Sequence, residues 1–137
     1  MSNAIAEVTV EFLQAFADAW NRHDAESLMS FVGEGCVFEA SAGPEVCGTR
    51  YEGRPAVQAA FAEVWAIFAD AHWGNARHFV DGDRGVSEWT FTGTRADGIR
   101  VEAHGCDLFT FRNGKIVLKN SYRKNRAPLP SSMPSKA

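Results

Sequence analysis

Cysteine is scarce in this chain of 137 residues: Cys36, Cys47 and Cys106 are an odd number and include no CxxC pair. Such usage suits free, mostly buried thiols in a reducing compartment, so a cytoplasmic location is expected. The four histidines show neither HxH nor HExxH spacing, and with the cysteines they make no metal signature. No Gly-rich phosphate loop is present, and no metal or cofactor is expected. Long apolar runs are missing too: nothing approaches the roughly 18 residues of a membrane-spanning helix. Glu7 and Glu11 stand where a signal peptide would be basic and then apolar. Positive charge is short, and the net charge of −3 argues against a non-specific nucleic-acid binder, which would need a basic face.

What is present is ordinary for a globular chain: 45% apolar and 23% charged residues. The length fits one domain. Ile5, Val8, Phe12, Phe16, Ala19 and Trp20 recur at helical spacing and predict a helix over 5–20. Asn21 to Asp24 breaks that pattern. Asp24 is placed to cap a short second helix carrying Leu28, Phe31 and Val32, ended by Gly33 and Gly35. His23, in the turn between the helices, reads as solvated. Cys36 to Ala40 reads as a short strand, and Ser41 to Gly48 as an irregular loop. Pro55 suits the first turn of a third helix, because its missing N–H has no partner to lose there. Val57, Phe61, Val64, Trp65 and Phe68 then give a third helix its apolar face, ending near Asp70.

From Trp73 onward the pattern changes. Asp81-Gly82, Asp97-Gly98 and Asn113-Gly114 tolerate the positive φ of tight hairpins. They predict a meander of strands over 73–80, 84–95, 99–112 and 115–124. The stretch 126–137 is rich in Pro and Ser and reads as a flexible tail behind a domain of residues 1–125. Helices first and hairpins after indicate an α+β fold.

Several segments carry a resemblance. They are Phe16 to Asp24 with Leu28 and Phe31, then Cys36 to Glu39, the Gly53 start of the third helix, the Gly82-Asp83-Arg84 turn, Glu88 to Gly93, and Asp107 to Ile116. In that order and spacing the chain resembles SnoaL-like and ketosteroid isomerase-like proteins of the nuclear transport factor 2-like superfamily. The resemblance covers roughly residues 5–125. It implies a cystatin-like cone, with three N-terminal helices packed on a curved, mostly antiparallel sheet. It also implies a ligand pocket in the cone mouth and a homodimer through the outer sheet face.

Function must be argued from the site, since this fold hosts unrelated activities. The ketosteroid isomerases use an Asp base, a helix-one Tyr and a protonated late-strand Asp. By the resemblance, the late-strand Asp matches Asp107, the Tyr falls on Phe16 and the base on Ala40. Phe16 has no hydroxyl and Ala40 takes no proton, so steroid isomerisation by that route is rejected unless Glu39 serves as base. Glu39 should face away from Ala40, since strand side chains alternate. The Asp-Arg-Asp set of limonene epoxide hydrolase also matches poorly, with Glu88 and Thr90 in its strand region. SnoaL-like cyclases use an Asp as acid/base, a role open to Asp107.

With Asp107 inward, Gly105, Phe109 and Phe111 share its face by the two-residue period. On the last strand the resemblance turns Val117, Lys119, Ser121 and Arg123 inward, leaving Ile116, Leu118, Asn120 and Tyr122 for a dimer face. On the strand before Asp107, one parity turns Glu88 and Thr90 inward, the other Ser87, Trp89 and Phe91. We place Glu88 inward, although periodicity alone favours Trp89 and Phe91. The expected site is therefore Asp107 and Glu88 as catalytic carboxylates, Lys119 and Arg123 opposite them as counter-charges, and His78 at the rim. Phe16, Trp20, Tyr51 and Trp65 would form its apolar wall. Cys106 points away from Asp107 and lacks a base. Three readings follow: a cofactor-independent isomerase, cyclase, hydrolase or lyase acting by acid/base chemistry on a hydrophobic, oxygenated small molecule; a non-catalytic ligand-binding or dimerisation module; or a partner-binding module like the transport factor, which would expose an apolar patch beyond the dimer face.

Overall fold

The computed structural model describes residues 7–127 and 129–130. The first helix, α1, spans Val10–Asn21, and its cap is Thr9, whose side chain accepts from Phe12 N at 3.1 Å. That cap starts the helix later than the apolar stripe alone implies; Ile5 lies outside the described residues. Asp24 caps α2 (Ala25–Met29) as expected, accepting from Ser27 N at 3.0 Å. Between them His23 adopts φ 57° and is not simply solvated. Its Nε2 lies 2.8 Å from Ala71 O and its ring stacks on Trp65, so the turn is tied to the later chain. Asn21 adds two bonds to the backbone of Trp73, at 3.0 and 2.8 Å, and fixes the end of α1 against the sheet.

Strand β1 (Val32–Glu39) begins before the expected Cys36 and includes both glycines read as helix stops. Gly35, at φ 69°, sits where its register shifts. A short β2 (Arg50–Glu52) lies inside the stretch leading to the third helix and was not expected. Helix α3 (Arg54–Ile67) follows with Pro55 in its first turn. The three helices therefore do not all precede the sheet. Strands β3 (His72–Asp81), β4 (Arg84–Thr94), β5 (Ile99–Arg112) and β6 (Lys115–Arg123) form the predicted meander. The three expected hairpin glycines take φ of 61° to 84°. The sheet order is β2-β1-β6-β5-β4-β3, antiparallel except where β1 runs parallel to β6. Within the stretch read as a tail, β7 (Leu129–Pro130) pairs with β5; residues 131–137 lie outside the described residues. Among the described residues no helix is long and apolar enough to cross a membrane.

The core fills the space between the helices and the inner face of the sheet. Phe16, Trp20, Phe38, Phe61 and Phe109 meet edge to face, with centroids 4.8 to 6.4 Å apart. Such contacts add to the area each ring removes from water. A smaller cluster of Ala71, Trp89 and Phe91 extends it.

Two parity expectations fail. The β4–β5 ladder runs unbroken from Arg84↔Thr110 to Thr94↔Arg100, with Ser87 opposite Asp107. Paired residues share a face, so burying Asp107 buries Ser87, Trp89 and Phe91 and turns Glu88 outward, where it is exposed. On β6 the pairing jumps from Thr110↔Leu118 to Phe111↔Ile116. This bulge at Val117 sends Ile116 into the core, 1% exposed, and removes it from the outer face. Lys119 and Ser121 keep their expected inward side.

Candidate active site

Strand register assembles one polar row across the inner face. His78 lies opposite Ser87, Ser87 opposite Asp107, and Asp107 opposite Ser121. Asp107 is 7% exposed and receives donors at both carboxylate oxygens. Trp89 Nε1 donates to Oδ2 at 3.0 Å, Ser121 Oγ donates to Oδ1 at 2.5 Å, and Lys119 Nζ stands 3.2 Å from Oδ1. Lys119 also donates to Ser121 Oγ at 2.9 Å. Its ammonium faces the rings of Phe38, Trp20 and Phe61 at 4.6, 5.1 and 5.6 Å. One buried acid meets one buried base, so desolvation is offset by pairing, hydrogen bonding and cation–π attraction.

Asp107 and Lys119 are thus brought together as expected, while Glu88 is not part of this group. It stands on the outer face, on a shallow groove of about 680 Å³ shared with Thr90, His104 and Tyr122. Ser121 and Trp89 were not among the expected catalytic or binding residues. The period-two pattern that favoured Trp89 and Phe91 was the signal for one of them, and the shared parity with Lys119 was the signal for the other. Glu39 is bound to Arg50 at 2.6 Å on the other side of β1 from Phe38, so it does not replace the missing base at Ala40.

Two chambers adjoin the polar group. The broader, about 230 Å³, is lined by Phe38, Ala40, Tyr51, Phe91, Ser121 and Arg123 among others. Arg123 lies over the Phe91 ring at 5.4 Å. The narrower, about 30 Å³, is lined by Phe16, His78, Ser87, Asp107 and neighbouring apolar side chains. Trp20, Trp73, Trp89 and Lys119 belong to both walls. Trp65, expected in the wall, lines neither chamber; it packs between Trp20 and His23. Cys106 points to the outer face, and burial, with the charges of Asp107 and Glu88, pushes its thiol pKa up, away from nucleophile behaviour.

Gly105 sets the position of Trp89. A methyl group there would run into the indole ring and the carbonyl of Tyr122. Gly105→Ala is expected to cost about 1–3 kcal/mol by overpacking, and to displace the Trp89 donor from Asp107. Urea denaturation checks the first effect; the Trp89 indole N–H resonance, moving away from its hydrogen-bonded position, checks the second.

His78 Nδ1 lies 2.8 Å from Ser87 Oγ, and its Nε2 lies 3.0 Å from Gln14 Oε1. Burial lowers the pKa of this imidazole below 6.5, and the charge of Asp18 only partly opposes that. The unfolded chain binds the proton more readily, so this group's stabilisation is complete above pH 6.5 and is lost as pH falls through the folded value. Between pH 6.5 and 5 the denaturation midpoint should fall more steeply for the wild type than for His78→Gln; equal slopes would refute this.

The SnoaL-like domain profile matches residues 13–119. The chain belongs to the SnoaL-like family. Solved structures bear the fold out. A candidate polyketide cyclase of Pseudomonas putida KT2440 is 18% identical with a TM-score of 0.74, over 85% of this chain and 92% of that one. An NTF2-like protein of unknown function from Mesorhizobium loti is 29% identical with a TM-score of 0.69, over 84% and 89%. A Catenulispora acidiphila protein of ketosteroid isomerase-like fold, solved with trimethylamine, is 19% identical with a TM-score of 0.73, over 84% and 86%. No curated protein matches the chain.

Proposed function

We propose that this SnoaL-like protein is a cofactor-independent acid/base enzyme of isomerase, cyclase, hydrolase or lyase type. Its substrate would be a hydrophobic, oxygenated small molecule. The observation that carries this reading is the buried Asp107–Lys119 pair, joined through Ser121 to an aromatic chamber. In this reading the substrate lies in the broader chamber with its carbonyl oxygen toward Lys119. Ser121 passes the substrate's proton to Asp107 while Lys119 holds the developing enolate. Arg123, at the same chamber, would hold a second acidic group. A volume of about 230 Å³ falls below the roughly 300–1,000 Å³ of drug-sized sites, so a molecule of one or two rings fits best. The candidate polyketide cyclases among the structural neighbours lend further support.

The test is α-proton exchange of enolisable aromatic ketones in D₂O, followed by NMR. Wild type should exchange the proton, and Asp107→Asn should lower the rate by about 100-fold or more. Equal rates would sink the acid/base role. Binding without exchange would favour the alternative, a non-catalytic ligand-binding module, which the three internal partners of Asp107 also fit. Exposed Phe79 and Tyr122 on the outer face support a homodimer through that surface. Free Cys36, Cys47 and Cys106 support a cytoplasmic location.

A further inference from the structure

The narrower chamber holds chemistry that the Asp107 group does not use. Its key is a chain of hydrogen bonds whose direction is settled by elementary donor and acceptor rules. Gln14 Nε2 donates to Asp18 Oδ1 at 2.9 Å, and a carboxylate there can only accept. The other end of that amide, Oε1, therefore faces His78, and a carbonyl oxygen cannot donate. So Nε2 of His78 carries the hydrogen and donates to Gln14 at 3.0 Å. In a neutral ring Nδ1 is then bare, and it accepts the Ser87 hydroxyl at 2.8 Å.

This is a hydroxyl aimed at an imidazole base whose tautomer is held by a third group, the arrangement that activates a serine. Burial, which lowers the pKa of His78, keeps the ring in its basic form at neutral pH. Trp20, on the wall shared by both chambers, is 6% exposed, and its indole Nε1, like that of Trp65, has no hydrogen-bond partner among the described residues.

We propose that Ser87 is a nucleophile for short acyl groups, with His78 as its base and Gln14 as the positioning residue. The chamber, at about 30 Å³, exceeds the roughly 10–15 Å³ that one water needs but is small, which limits the proposal to short acyl groups. On this proposal the leaving group is directed toward the adjoining chamber, whose lining shares Trp20, Trp73 and Trp89 with this one. The Ser87 oxygen bonds to the acyl carbon as its proton passes to His78 Nδ1. The carbon–oxygen bond to the leaving group then breaks, and the departing oxygen takes that proton. Water next attacks the acyl-serine, gives a proton to His78, and frees the acid as Ser87 regains its hydrogen. No oxidant, reductant or further co-reactant is required. This activity is independent of the Asp107 role proposed above.

The experiment uses p-nitrophenyl acetate as the probe with the full chain. Nitrophenol release should show a burst, and peptide mapping by mass spectrometry should place one acetyl group on Ser87. Ser87→Ala should abolish that adduct, and His78→Phe should slow acylation by about 100-fold or more. Gln14→Leu should slow it as well, whereas Gln14→Glu, which keeps an acceptor at Nε2, should restore it. The p-nitrophenyl hexanoate ester should leave Ser87 unmodified. Acetyl groups on lysines alone in the wild type would overturn the proposal without recourse to any variant. So would nitrophenol release by a folded Ser87→Ala protein at the wild-type rate, or equal acylation of Ser87 by the hexanoate.

Discussion

Replacing Lys119 by methionine is expected to destabilise the fold by about 3–5 kcal/mol, the cost of stranding a buried carboxylate. Lys119 is itself 7% exposed, and among the described residues it is the one cation within salt-bridge distance of Asp107. Trp89 and Ser121 would still donate to the carboxylate, but neither carries a charge. Methionine fills nearly the same apolar volume beside Phe38 and Phe61, so the loss reports charge and not packing. Adding Asp107→Asn should recover most of the loss, because a pair removed together leaves no orphaned charge. Urea denaturation of both single variants and the double variant measures this directly. A single-variant loss under about 1 kcal/mol, the range of exposed pairs, would contradict the assignment. Fluorescence titration with an aromatic ketone should also show weaker binding, since Lys119 is the group its oxygen would meet.

Phe61→Ala should be comparably costly, about 3–5 kcal/mol for a fully buried aromatic. Phe61 is 1% exposed and contacts Phe16, Trp20 and Phe38 through their rings. Its removal deletes the hub between α1, α3 and β1. Its helical neighbours Ala60 and Val64 line the broader chamber, so the cavity left behind should merge with that space. The variant, if folded at low temperature, should accept a larger aromatic ligand than the wild type. Thermal denaturation with and without such a ligand separates the two effects: a ligand that stabilises the variant and not the wild type is the expected outcome. A loss under about 1 kcal/mol would mean that Phe61 is not the centre of the core.

Much of the fold can be read from local chemistry. Hairpins at Gly82, Gly98 and Gly114 need positive φ, and the sequence supplies residues that tolerate it, so four strands fall almost where they were expected. Asp24 capping α2 and Pro55 opening α3 are equally local. The family resemblance singled out Asp107, and the natural core residues Phe109 and Phe111 fitted its inward face, where it is indeed buried.

What escaped local reading depended on pairing between distant segments. Glu88 and Ser87 are adjacent, and only the register of β4 against β5 decides which of them meets Asp107. Ile116 enters the core because a bulge opposite Phe111 reverses parity within β6, and no residue pattern in β6 alone announces it. Likewise Gln14, His78 and Ser87 lie on three separate elements; His78 was expected at the rim, but nothing local joins it to Gln14 and Ser87. The α+β class, the hairpins and the inward face of Asp107 were set locally, since turn conformation and side-chain alternation act over a few residues. The tertiary structure decided the company Asp107 keeps, since ladder register, bulges and buried ion pairing are settled only when strands meet.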